Sequence, residues 1–386
     1  MTKEELLSRM IKNPLEFTDT EFLQLVAITG KDAVTFEDLR NNLRRIYDMN
    51  ESSLLRESDA MSGAFGKLNS AKQKKRRKKF FQRMRDGKRS TDYKTVVAEG
   101  DSWFCFPKYV VDINEWLIRD DKINLYSAAA AGDWITNMIY EGKYIEELSM
   151  IEPDAFLISG GGNDFVGSYR LSFMINTNID EKLPDDEFIK ACISDAFYAF
   201  IWTLKTQYWL LLSSLQKADK LKDLKIVTQG YDYVIPSLKK WRGLDLIQGI
   251  INSFFTSTGD WLCTPFKLKG LHNESRQKAV IRHFIDKVNE MFGWLANYPN
   301  VNGVTGEEYR FSNMYHIDCR GVARNFNDWF DEIHLKSKRF REIAAVYKHV
   351  IWESARKIKT KKGEIEVPFD KNLKVIKVNL ADPAIA

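Results

Sequence analysis

From Glu4 to about Asp59 apolar residues recur at three- and four-residue spacing, as at Phe22, Leu25 and Val26 and again at Leu39, Leu43 and Ile46. This is the period of helices with one buried face. Thr35, followed by Glu37 and Asp38, predicts a helix start. Beyond about residue 90 the pattern changes to short β-rich runs separated by amphipathic stretches. Strands are predicted at Thr95–Glu99, Ile123–Tyr126, Ala155–Ser159, Lys225–Gln229 and Met314–Asp318. Helices are predicted at Ile113–Arg119, Trp134–Leu148, Asp186–Lys217, Ser275–Leu295 and Ser337–Lys357. The fold class is therefore α/β, a sandwich built on a central parallel sheet of about five strands.

The change of pattern divides the chain into an N-terminal helical region over 1–90 and a larger α/β domain over 91–386. The span from Phe165 to about Asn300 exceeds what a minimal crossover needs, so a helical insertion is expected within about 165–310. Two apolar stretches fall in it. FYAFIWTLKTQYWLLLSSL reads as a buried helix or as the wall of an acyl pocket. LIQGIINSFFTSTGDWLC, with Phe254, Phe255 and Trp261, reads as core or as a lid.

Composition adds one asymmetry. The formal charge of +5 hides a run over residues 72–89 with 11 Lys/Arg and one Asp, leaving 47 basic against 52 acidic residues elsewhere. This run reads as a basic helix or a flexible arm, and its role has three readings: a solvated arm or partner contact, a contact for anionic membrane headgroups with Phe80, Phe81 and Met84 inserting, or a nucleic-acid contact. The last is the weakest, since no recognition motif accompanies it. Cysteines at 105, 192, 263 and 319 form no CxxC pair, so neither a zinc nor a dithiol site is expected. The N-terminus lacks a basic segment followed by an apolar one, and the apolar run near Ala196–Leu215 is interrupted by Lys205. A cytoplasmic protein, at most peripherally membrane-associated, is the expectation.

The first strand ends in GDSW, placing Ser102 just past the carboxyl end of an apolar strand, where open α/β sheets hold their sites. A serine hydroxyl is a poor nucleophile without a base in reach and a third group to orient that base. Near the C-terminus DEIH sets Asp331 three residues before His334, close enough for the carboxylate to accept Nδ1–H and leave Nε2 for Ser102. Acyl transfer also needs N–H donors for an oxyanion. Gly132, in SAAAAGDW after the second strand, and Asn163, in GGGNDF after the third, are candidates. Asp164 reads as structural, His316 as a core histidine and Cys105 as a packing residue.

GDS, the glycine of AAGDW, GGND and DEIH occur in the order of the four blocks of the SGNH (GDSL-like) hydrolases, and the chain resembles that family over roughly residues 94–356. The resemblance implies a flavodoxin-like three-layer α/β/α fold. It implies Ser102 as nucleophile, the amides of Ser102, Gly132 and Asn163 as oxyanion hole, and Asp331 and His334 as the remaining triad. It implies a serine ester hydrolase needing no metal or organic cofactor. Trp103 replaces the usual Leu after GDS, the second block is alanine-rich, and Leu335 stands where Pro is frequent. Trp103 and Phe104 would then flank the nucleophile and contact substrate. The aromatic insertion and basic run direct the expected substrate towards lipid or phospholipid esters. A carbohydrate O-acetyl ester, or a non-catalytic binding role on the same scaffold at anionic surfaces, are the alternatives. Oligomeric state is not readable.

Overall fold

Each of the five apolar segments forms a strand, and the computed structural model describes residues 1–49, 66–88, 90–106, 109–236, 261–297, 311–360 and 363–378. The strands are β1 Lys94–Gly100, β2 Ile123–Ser127, β3 Ala155–Ser159, β4 Lys225–Gln229 and β5 Met314–Asp318. After the hairpin of β6 (Arg356–Thr360) and β7 (Gly363–Val367), a short β8 (Val375–Lys377) adds a sixth strand at the β5 edge. The sheet order is β2-β1-β3-β4-β5-β8 and every pairing is parallel. β2, β3 and β5 are buried at every position, as strands covered on both faces must be. The order 2-1-3-4-5 is that of flavodoxin-like sheets, whose sites lie beyond the carboxyl ends of the strands.

Three N-terminal helices, α1 (Lys3–Lys12), α2 (Asp19–Ala27) and α3 (Phe36–Ile46), each begin with a threonine whose hydroxyl accepts the N–H three residues on, while that residue's carboxylate accepts the threonine N–H. Thr35 is one of these caps, as its sequence predicts. A fourth helix, α4 (Gly66–Arg85), lies against β2. Of the long helices that follow, α5 (Asp195–Lys217) and α6 (Glu274–Ala296) pack together, and α7 (Ser337–Trp352) packs on the short helix Ile113–Ile118. The first three helices rest on α5: Phe22 meets Trp209 and Trp294 edge to face, and the Trp202 indole donates to the Pro14 carbonyl at 3.0 Å. One continuous apolar core runs from Leu6 through the sheet to Val350.

The predicted helix over Trp134–Leu148 is split into Ile135–Glu141 and Lys143–Ile151, because Gly142 adopts a left-handed φ of 61°. The run over 186–217 is also broken, where Ile193 forms a bridge with Ile175. Of the two forms open to the basic run, the helix is the one observed: residues 72–85 belong to α4, and Arg76 and Arg83 are buried against the α/β body. The segment carrying Phe254 and Phe255, read as core or lid, lies outside the described residues.

Candidate active site

At the end of β1 the chain turns sharply. The Asp101 N–H donates to the Ser159 carbonyl at the end of β3, and the N–H groups of Phe104 and Cys105 fold back onto the Asp101 carbonyl. This turn lifts Ser102 to the carboxyl edge of the sheet. His334 and Asp331 arrive there on the loop before α7. The carboxylate of Asp331 lies 2.8 and 2.9 Å from His334 Nδ1, and His334 Nε2 lies 2.7 Å from Ser102 Oγ. A carboxylate only accepts, so Nδ1 carries the imidazole proton and the Ser102 hydroxyl donates to the Nε2 lone pair. Asp331 Oδ1 also accepts the N–H groups of Ile333 and His334 at 2.9 and 2.8 Å, fixing the tight loop that presents the ring. Phe106 and Trp261 meet the imidazole edge to face, with centroids 4.7 and 6.2 Å away.

Ser102 and the distant Asp331–His334 pair are thus joined in one hydrogen-bonded line, each residue less than one-tenth exposed. Asn163 lies beside it, lining the same cavity as Ser102, and its Nδ2 donates one hydrogen to the Asp133 carbonyl at 2.9 Å. Gly132 occupies the turn after β2 at φ 81°. Among the described residues the N–H groups of Ser102 and Gly132 donate to no protein acceptor. Trp103 also lines the cavity, and its indole N–H donates to the Ile333 carbonyl at 3.1 Å, linking the serine and histidine loops. Phe104 does not flank the site as expected. It is fully buried against Tyr347, because the helical turn after Asp101 points it into the core.

The cavity beside Ser102 measures about 40 Å³, and apolar side chains dominate its walls, among them Trp103, Phe165, Val166, Val234, Ile285 and Val288. Asp101 and Tyr231 close its floor, a pairing the sequence did not reveal. The Tyr231 hydroxyl donates to Asp101 in a short hydrogen bond and accepts the Gly162 N–H at 3.1 Å. Burial pushes the Asp101 carboxyl up to about 6, against the opposing pull of the Tyr231 hydroxyl and the Trp103 N–H. The available signal was position: Tyr231 lies two residues beyond the end of β4, at the edge where such sheets gather their sites. Glu332, also unforeseen, is buried and accepts the N–H groups of Trp261 and Leu262 at 2.7 and 3.1 Å, holding the segment that carries Trp261.

Other residues fall where their sequence context places them. Asp164 is buried and accepts the Ile135 N–H at 2.9 Å. His316 is enclosed in β5 between Thr228 and Asn289, and desolvation lowers it to about 3, so it stays neutral. Burial pushes the Cys105 thiol up, away from nucleophilic thiolate chemistry. Among the described residues no group of three or more His, Cys, Asp or Glu could hold a metal ion. No helix among them is long and apolar enough to cross a membrane.

No protein-family model matches the chain, and no curated protein matches it. Solved structures do. The chain is similar to an acetyl xylan esterase at 16% identity and a TM-score of 0.27, covering 67% of this chain and 98% of that one. It is similar to a protein described as a GDSL-like lipase from Parabacteroides merdae at 13% identity and a TM-score of 0.25, covering 51% and 95%. A catalytic mutant of an acetylxylan esterase from Geobacillus stearothermophilus aligns at 13% identity and a TM-score of 0.22, covering 50% and 94%. These scores carry neither family nor activity over to this chain.

Proposed function

We propose that this protein is a serine ester hydrolase of the SGNH type that works through an acyl-enzyme on esters of short acyl groups. The observation that carries the proposal is the unbroken line from Asp331 through His334 to Ser102 Oγ. Ser102 Oγ attacks the ester carbonyl and its proton passes to His334 Nε2. The tetrahedral oxyanion is held by the Ser102 and Gly132 N–H groups and by the second Nδ2 hydrogen of Asn163. Collapse breaks the ester C–O bond, and His334 returns the proton to the leaving alcohol. Water, deprotonated by His334, then attacks the acyl carbon and releases the acid with Ser102 restored. Asp331 keeps the imidazole in the required tautomer throughout.

The short acyl group is supported by the cavity. About 40 Å³ beside Ser102 holds about three water-sized groups, room for an acetyl or propionyl chain. Lipid esters stay the second reading, which a series of acyl-chain lengths separates. A peripheral contact with anionic headgroups keeps one support: Lys74, Lys75, Lys78 and Arg85 lie on the exposed side of α4 around Phe81, which is 50% exposed.

The test is fluorophosphonate labelling of the purified chain with the adduct located by peptide mass spectrometry, followed by hydrolysis of p-nitrophenyl esters of increasing chain length. Labelling at Ser102 that is lost in His334→Ala, with activity falling steeply beyond short chains, is expected. Folded protein that takes no label would overturn the hydrolase reading. Preference for long chains would return lipid esters to first place.

A further inference from the structure

The turn after β2 is held more firmly than its length requires. The Asp133 N–H donates to the Ala130 carbonyl at 3.2 Å, and Gly132, at the third position, has φ 81°. This is the geometry of a type II turn, which needs a positive φ there. The Ala130 N–H donates to the Gly100 carbonyl at 2.8 Å, tying the turn to β1 two residues before Ser102. On the other side, Asn163 grips the Asp133 carbonyl.

The remaining grip comes from α4. Asn69 is buried, its Oδ1 accepts the Ala131 N–H at 3.0 Å, and its Nδ2 donates to the Ala131 carbonyl at 3.0 Å. One turn along the helix, Gln73 donates to the carbonyls of Ala128 and Ala129 at 2.7 and 3.0 Å. Of the four N–H groups in the turn, that of Gly132 is the one with no acceptor among the described residues.

Peptide planarity converts this grip into an aim. The Ala131 carbonyl and the Gly132 N–H belong to one planar trans unit and point in opposite directions. Holding the carbonyl against α4 therefore directs the N–H away from α4. Type I and type II turns differ by a half-rotation of this same peptide, between their second and third positions. A released peptide thus has a second well in which the N–H is reversed. Asparagine suits the task because it offers an acceptor and a donor side by side without charge. Aspartate would set an oxygen against the Ala131 carbonyl, and alanine offers neither group.

We infer that Asn69 is a positioning residue for the oxyanion hole, fixing the 131–132 peptide so that the Gly132 N–H faces the reacting carbonyl on Ser102. The inference rests on the proposed ester hydrolysis, and Asn69 itself touches no reacting atom. It also gives the basic helix a purpose beyond its charge. Arg76 donates to the Phe104 carbonyl at 2.9 Å and pairs with Asp112, so α4 grips the loop after β1 as well as the turn after β2.

The test compares Asn69→Ala and Asn69→Asp with wild type in the full chain. Readouts are kcat and KM on p-nitrophenyl acetate and the affinity of a boronic acid that forms a tetrahedral adduct with an activated serine. The expected result is a kcat lowered about 10- to 100-fold, below the about 10²- to 10³-fold for deleting a donor outright. KM should stay within about two-fold, and boronate affinity should fall in proportion to kcat/KM, because only the tetrahedral state uses the aimed N–H. Leu25→Ala, in the remote N-terminal core, controls for lost stability and should lower Tm while leaving kcat unchanged. Asn69→Asp, which keeps the side-chain volume, carries the test if the alanine variant does not fold. A kcat within two-fold of wild type, or a lowered kcat with unchanged boronate affinity, overturns the assignment. A folded wild type that neither labels nor turns over sinks the hydrolase reading and this one with it.

Discussion

The sharpest consequence of the site concerns Asp331→Asn. Three N–H groups converge on the Asp331 carboxylate: the backbone amides of Ile333 and His334, both on Oδ1, and the imidazole Nδ1–H, within 2.9 Å of both oxygens. An asparagine can keep the two amide hydrogen bonds through its own Oδ1, so the loop should hold its shape and Tm should change little. Its Nδ2 would then face Nδ1 as a donor. The imidazole would shift its proton to Nε2, the atom 2.7 Å from Ser102 Oγ, and lose the lone pair that accepts the serine proton. Reversing the tautomer in this geometry is worth about 10⁴-fold in kcat, or about 5 kcal/mol of transition-state stabilisation. The assay is steady-state hydrolysis of p-nitrophenyl acetate beside a thermal melt. A loss of less than about ten-fold with an unchanged melt would refute the tautomer argument, since the geometry would then be intact and the base still working.

Three further outcomes are expected. Arg76→Met removes the buried partner of Asp112, bonded at 2.5 Å, and leaves only half-buried Lys72 to balance that carboxylate. Urea unfolding should report a loss of about 3 kcal/mol, and a neutral result would show that α4 is not anchored by this pair. Asp101 has its pKa raised by burial from 3.8 to about 6, so it binds its proton more tightly folded than unfolded. Its contribution to stability is therefore complete below about pH 4 and is lost as pH rises through about 6, by about 3 kcal/mol. Asp101→Asn lacks that ionisation, so the variant-minus-wild-type unfolding energy should rise by that amount from pH 4 to pH 7, and a flat difference contradicts it. Gly162→Ala would bring a Cβ to 2.8 Å from the Tyr231 ring. Tyr231 must then move off Asp101, with an expected loss of about 1–3 kcal/mol and lowered kcat, whereas wild-type melting and turnover would show that the floor tolerates displacement.

What the sequence determined by itself is the part written in local signals. Alternation of apolar-rich and amphipathic runs placed the first five strands, because strands covered on both faces draw mainly on apolar side chains. Ser102, Gly132 and Asn163 were legible as candidates because each follows a strand, and Asp331 with His334 because three residues span one turn of chain. Helix breaks at Gly142 and Ile193 were less legible, since the second depends on a bridge to Ile175. The tertiary structure decided what distance hides. Asn69 meets Ala131, Arg76 meets Asp112, Tyr231 meets Asp101 and Trp103 meets Ile333 across 62, 36, 130 and 230 residues. None of these pairs leaves a spacing or a period in the chain. A polar side chain looks the same in sequence whether it reaches solvent or a buried backbone group, and only folding decides which. For that reason the basic run read equally well as a helix or as a free arm, while desolvation and unpaired backbone carbonyls made it a brace for the loops of the candidate site.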